Sequence, residues 1–70
     1  MTRDEIYETE DAGTVFVFEK IRGRGSVGWC RKTPLGWWTV STRTWERGYR
    51  RSRRAAVAWL VDEAGKIPAD

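Results

Sequence analysis

The chain has 70 residues, 40% hydrophobic and 33% charged, with 13 Lys and Arg against 10 Asp and Glu for a net charge of +3. That apolar share is too high, and that net charge too small, for a disordered segment. The length suits one small domain, which buries roughly 60% of the surface its unfolded chain exposes. No apolar run approaches the ~20 residues a bilayer span requires, and no secretory segment follows Met1, so a cytoplasmic protein without membrane contact is expected.

Cysteine and histidine usage narrows the chemistry. There is one cysteine, Cys30, and no histidine. A disulfide needs a pair, and a structural zinc site needs about four Cys or His ligands. Without histidine, Ser-His-Asp and Cys-His arrangements are excluded within the chain. Cys30 lies in an apolar segment and reads as a small buried side chain. Asp4, Glu5, Glu8, Glu10 and Asp11 crowd the N-terminus as a solvated acidic segment. The expectation is a protein that is not an enzyme, with no metal, no cofactor and no small-molecule substrate.

In chain order, residues 1 to 13 form the acidic segment. Thr2 and Glu5 have capping-box spacing for a short helix or single turn, while Ile6, Tyr7, Glu8 and Thr9 suit an extended segment almost as well, and Gly13 ends whichever forms. From Thr14 to Arg22, Val15, Phe16, Val17, Phe18 and Ile21 predict a strand with apolar residues on both faces. Arg22-Gly-Arg-Gly25 is a turn. Ser26 to Lys32 is a second strand, with Val27, Trp29 and Arg31 on one face. Thr33-Pro-Leu-Gly36 is a turn signature. A third strand runs from Trp37 to Trp45. Its two faces are Trp38, Val40, Thr42 and Thr44 against Trp37, Thr39, Ser41, Arg43 and Trp45. After a turn at Glu46-Arg-Gly48, Ser52 is a good N-cap for a helix over 53 to 64, stopped by Gly65. Its buried stripe centres on Val57, Leu60 and Ala64, flanked by Ala56, Trp59 and Val61. The tail covers residues 66 to 70. The expected fold is one α+β domain: a three-stranded antiparallel meander over residues 14 to 45, with one C-terminal helix over residues 52 to 65 packed across it.

The mild net charge hides a polar distribution. Residues 1 to 19 carry six acids and one base, residues 20 to 54 eleven bases and one acid, and residues 55 to 70 three acids and one base. The basic middle holds Arg22, Arg24, Arg31, Lys32, Arg43, Arg47, Arg50, Arg51, Arg53 and Arg54, interleaved with tryptophan. Guanidinium forks suit phosphate oxygens and guanine edges. Arg53 and Arg54 sit in the first helical turn, where cations oppose the macrodipole and a bound phosphate would reverse the cost. Of the five tryptophans, Trp38 and Trp59 are assigned to the core. Trp29, Trp37 and Trp45 are left to stack on bases or to anchor a partner.

From Trp38 onward the chain resembles the arm-type N-terminal DNA-binding domain of tyrosine integrases from phages and mobile elements. The shared pattern is an aromatic (Tyr49), a helix cap (Ser52), then Ala56 and Trp59. It departs by one extra residue between Tyr49 and the cap, and by Ala55 where an acid is usual. The resemblance covers about half the chain. It implies a sheet that enters the major groove, with Arg31, Lys32, Arg43 and Arg47 as readers, in an accessory factor rather than a recombinase. Double-stranded-RNA-binding domains offer a second analogy, which requires a helix over residues 3 to 10. The composition also resembles small proteins of actinobacterial phages. Two functions follow as expectations: a small phage-type protein binding DNA or RNA, or a module that binds a host protein or a second copy of itself through exposed Trp. Their discriminator is whether Glu8, Glu10 and Asp11 lie against the basic strand face.

Overall fold

A computed structural model describes residues 3 to 20 and 25 to 66. A short 3-10 turn, Arg3–Glu5, leads into five strands: β1 (Ile6–Asp11), β2 (Thr14–Glu19), β3 (Ser26–Thr33), β4 (Gly36–Ser41) and β5 (Arg47–Arg50). The helix α1 (Arg53–Ala64) follows. The strands pair in sequence order, all antiparallel. The class is therefore α+β with an antiparallel sheet and one C-terminal helix, but the sheet has five strands, not three.

Both extra strands lie where the sequence suggested irregular chain. After a single helical turn, residues 6 to 11 extend as β1 and pair along their whole length with β2, Ile6 opposite Glu19 and Asp11 opposite Thr14. The β1–β2 connection is Ala12-Gly13, with φ of 51° and 84°. Positive φ at both central residues matches the twist of the flanking strands. The expected third strand stops at Ser41, and residues 42 to 46 turn the chain into β5. Ser41 organises that turn: its Oγ accepts from the amides of Arg43 (3.3 Å) and Thr44 (3.2 Å).

The helix covers one face. Ala56, Val57, Leu60, Val61 and Ala64 are buried against Ile6, Val15, Val17, Val27 and Cys30, with Trp37 and Trp59 packed at the edge. Ser52 caps α1, its Oγ accepting from the Ala55 amide at 3.1 Å. The helix spans the expected residues and buries the expected stripe, to which it adds Glu63, while Trp59 is only partly buried. Gly28 sets the approach of helix to sheet. A Cβ there would stand 2.5 Å from the Val40 carbonyl oxygen and 2.6 Å from Leu60 Cδ2, so only glycine admits Leu60 this close to β3.

The core assignment of Trp38 is corrected. In β4 the helix-side residues are Trp37, Thr39 and Ser41, the last two fully buried, while Trp38 and Val40 point the other way. Thr39 Oγ1 donates to the Gly48 carbonyl at 3.1 Å, so its burial strands no hydroxyl. β3 also departs from strict alternation. Val17 opposes Gly28 and Phe18 opposes Ser26, which leaves Val27 as the extra residue of a bulge. Val27 is buried, and Trp29 and Arg31 face away from the helix.

Candidate functional site

Register fixes what the face opposite the helix carries. Directly opposed residues in antiparallel strands share a face, so the pairings form rows across the sheet. One row is Tyr7, Phe18 and Ser26. The next is Thr9, Phe16, Trp29, Val40 and Arg47, crossing all five strands. The third is Asp11, Thr14, Arg31, Trp38 and Tyr49. The helix packs on the opposite face, against Val15, Val17, Val27 and Cys30.

Six aromatic rings therefore share the face opposite the helix, and they run diagonally. Tyr7 and Phe18 stack at one corner with centroids 5.4 Å apart. Phe16 and Trp29 are neighbours in the middle row. Trp38 and Tyr49 meet at the opposite corner, 4.8 Å apart and tilted by 52°. Tyr7 and Tyr49 are exposed, and the four inner rings are half-buried. Arg31 flanks the diagonal on one side and Arg47 on the other, both exposed.

The acids have been sorted onto the other face. Glu8 and Glu10 point toward α1 and both hold Arg53. Its Nη2 lies 3.0 Å from Glu8 Oε1 and its Nη1 3.2 Å from Glu10 Oε1. The hydrogen bond to Glu8, more than any other contact, holds the guanidinium above its ordinary pKa. Glu19 takes Arg43, with Nη1 to Oε1 at 3.2 Å in a mostly buried pair. At the strand positions of the open face, Asp11 is the one carboxylate among the described residues. The acidic N-terminal strand thus covers the helix start, not the open sheet face.

The basic residues separate accordingly. Arg31 and Arg47 stand on the open face. Lys32 and Arg50 belong to the helix-side row with Trp37, where the Arg50 guanidinium lies 4.9 Å over the Trp59 ring. Arg51 and Arg54 are exposed around the helix start, while Arg53 and Arg43 are engaged by carboxylates. Arg22 and Arg24 lie outside the described residues. Among the three tryptophans proposed for contact, Trp29 is on the open face and Trp37 packs on the helix side. Trp45 is 74% exposed in the β4–β5 connection, with φ of 59°, a strained conformation for a bulky residue.

Five open-face rings, Tyr7, Phe16, Phe18, Trp38 and Tyr49, were not singled out as site residues from sequence. For two of them the signal was present. In Thr14–Glu19 valine and phenylalanine alternate, so Phe16 and Phe18 had to share the face that Val15 and Val17 avoid.

Cys30 faces the helix and is fully buried. Burial pushes its thiol up to about 11, Arg53 partly opposing this and Glu8 adding to it. Such a thiol is protonated at neutral pH and is a poor nucleophile. Among the described residues no group of three or more His, Cys, Asp and Glu is placed to hold a metal ion. No helix is long and apolar enough to cross a membrane. Comparison with protein-family models, curated proteins and solved structures gives no significant match to this chain.

Proposed function

We propose that this protein binds nucleic acid on the open face of its sheet, with Arg31 and Arg47 meeting phosphates and the aromatic diagonal meeting bases or sugars. One observation carries the reading. The strand carboxylates Glu8, Glu10 and Glu19 all turn to the helix side, leaving a face of aromatics and arginines with a single acid. Self-neutralisation therefore acts at Arg53 and at Arg43, and Arg31 and Arg47 stand outside those ion pairs. The helix start is the weaker part of the expected interface, because Arg53 already has two carboxylate partners. The resemblance to integrase arm-binding domains implies a sheet that reads DNA, and its implied readers are split, Lys32 and Arg43 lying off the open face. Of its four implied readers, Arg31 and Arg47 are on that face.

The test is fluorescence anisotropy with labelled duplex DNA, single-stranded DNA and double-stranded RNA at low salt. Binding should weaken with salt, with a slope of about −0.7 to −0.9 per phosphate contacted. The double variant Arg31→Ala/Arg47→Ala should lower affinity about tenfold or more and flatten that slope, while Arg53→Ala should change little. Absence of binding to all three probes overturns the proposal. Salt-resistant self-association in sedimentation, with none of the probes bound, would assign the face to a second copy of the chain.

A further inference from the structure

We infer that the nucleic acid this face takes is single-stranded, its unpaired bases stacking along the diagonal from Tyr7/Phe18 through Phe16/Trp29 to Trp38/Tyr49. The inference rests on the nucleic-acid reading above and narrows it. In a duplex the base faces are occupied by one another, and a protein meets only base edges and phosphates. Edge reading calls for polar forks, yet rings hold six of the thirteen positions in the three rows. A duplex laid on this face would press the rings against sugar and phosphate and give the exposed ring surface no base to stack on. Unpaired bases supply those partners, at about 1–3 kcal/mol per stacked base.

The layout also follows a strand's needs. Five strands about 4.8 Å apart put Tyr7 and Tyr49 roughly 20 Å apart across the sheet. The rings descend across three rows, so the stripe crosses the sheet from one corner to the other. Arg31 and Arg47 lie on opposite sides of it, where a backbone crossing the sheet can reach either. Because every base has a π-face, a stacking platform of this kind binds with little sequence preference.

The deciding experiment compares anisotropy for a short oligothymidylate, the matching oligouridylate and a duplex of equal length. The single strands should bind about tenfold or more tighter than the duplex and quench tryptophan emission. Trp38→Ala should lower single-strand affinity about tenfold, Trp38→Phe should largely restore it by keeping a ring, and Trp59→Phe on the helix should leave it unchanged. Thermal melts of the same variants separate lost binding from lost fold, and the Phe variant keeps the test valid if the Ala variant is unstable. Duplex binding equal to or tighter than single-strand binding, still sensitive to Arg31→Ala/Arg47→Ala, overturns the single-strand inference and leaves the nucleic-acid reading standing. Failure of every probe overturns both.

Discussion

The two faces of this sheet are built on opposite rules. The centre of the helix side, beneath α1, is made from small or slim side chains, Val15, Val17, Gly28, Cys30, Thr39 and Ser41, and is closed to solvent, with Trp37 and the charged Glu10, Lys32 and Arg50 at its margins. The open side carries nearly all of the strands' aromatic rings and stays partly wet. In a larger protein the rings would be expected inside. Here a single twelve-residue helix must cover the sheet, and it does so by close approach, which large residues beneath it would prevent. Tight packing on one side thus pushes the bulk to the other, and the aromatic surface lies on the face opposite the one helix among the described residues. The difference teaches that burial and hydrophobicity come apart in a domain this small, and that the least buried rings are those free for a ligand.

The sharpest way to break that contrast is to truncate each face and compare. Leu60→Ala removes a fully buried side chain over Gly28 and should cost about 2–5 kcal/mol in urea unfolding. Tyr49→Ala on the open face removes a half-exposed ring and one cross-strand partner, and should cost about 0.5–1.5 kcal/mol. Gly28→Ala should fall between them, at about 1–3 kcal/mol, because its methyl meets a backbone carbonyl that cannot move aside. Equal costs for Leu60 and Tyr49 would mean that the open face is as structural as the covered one, and the case for a ligand there would collapse.

How much of this was legible follows from which residues decide it. The helix was, since Ser52, the Val57/Leu60/Ala64 stripe and Gly65 are local signals that its packing obeys. β4 was legible as a strand, but not which of its faces is buried, because Trp37 and Trp38 are adjacent and hydropathy favours burying the Trp38/Val40 face. What reversed it was the room Leu60 needs beneath α1, together with bonds that satisfy Thr39 and Ser41, and neither is visible in a one-dimensional pattern. β1 was legible only as an alternative to a helical turn, because Glu8 and Glu10 occupy helix-side positions whose partner, Arg53, lies some 45 residues away. The short β5, Arg-Gly-Tyr-Arg, carries too few apolar residues to announce a strand. At the candidate site the arginines were legible as a class. Their division into open-face, paired and helix-side members required the register.

A second prediction probes the dryness of the covered face through its thiol. Cys30 ionises near 9.0 when unfolded, and burial raises this to about 11 in the fold. The folded state therefore holds the proton more tightly. Its contribution is complete below about pH 9 and is lost as pH rises from 9 to 11, by about 2–3 kcal/mol in all. Urea midpoints across that window should fall for the wild type and fall less for Cys30→Ala. Thiol reagents should label the native protein slowly at pH 8 and rapidly once it is unfolded. Rapid native labelling would show that water reaches the sheet beneath α1.

The smallest effect expected belongs to the charges that divide the two faces. Arg53 lies in the first helical turn, where its charge opposes the macrodipole, and Glu8 and Glu10 offset that unfavourable placement. Its side chain is 44% exposed, so solvent screens the attraction and the pair adds only about 0.2–1 kcal/mol. A double-mutant cycle between Glu8→Gln and Arg53→Ala should return a coupling of that size, shrinking as salt is raised. The more informative readout is nucleic-acid affinity. The Glu8 carboxylate is on the far side of the sheet from Arg31 and Arg47, so its neutralisation should raise affinity only slightly. Asp11→Asn, on the open face itself, should raise affinity more. A Glu8→Gln gain equal to that of Asp11→Asn would mean that the N-terminal strand screens the ligand from the whole domain, and that facial segregation of charge has no part in where it binds.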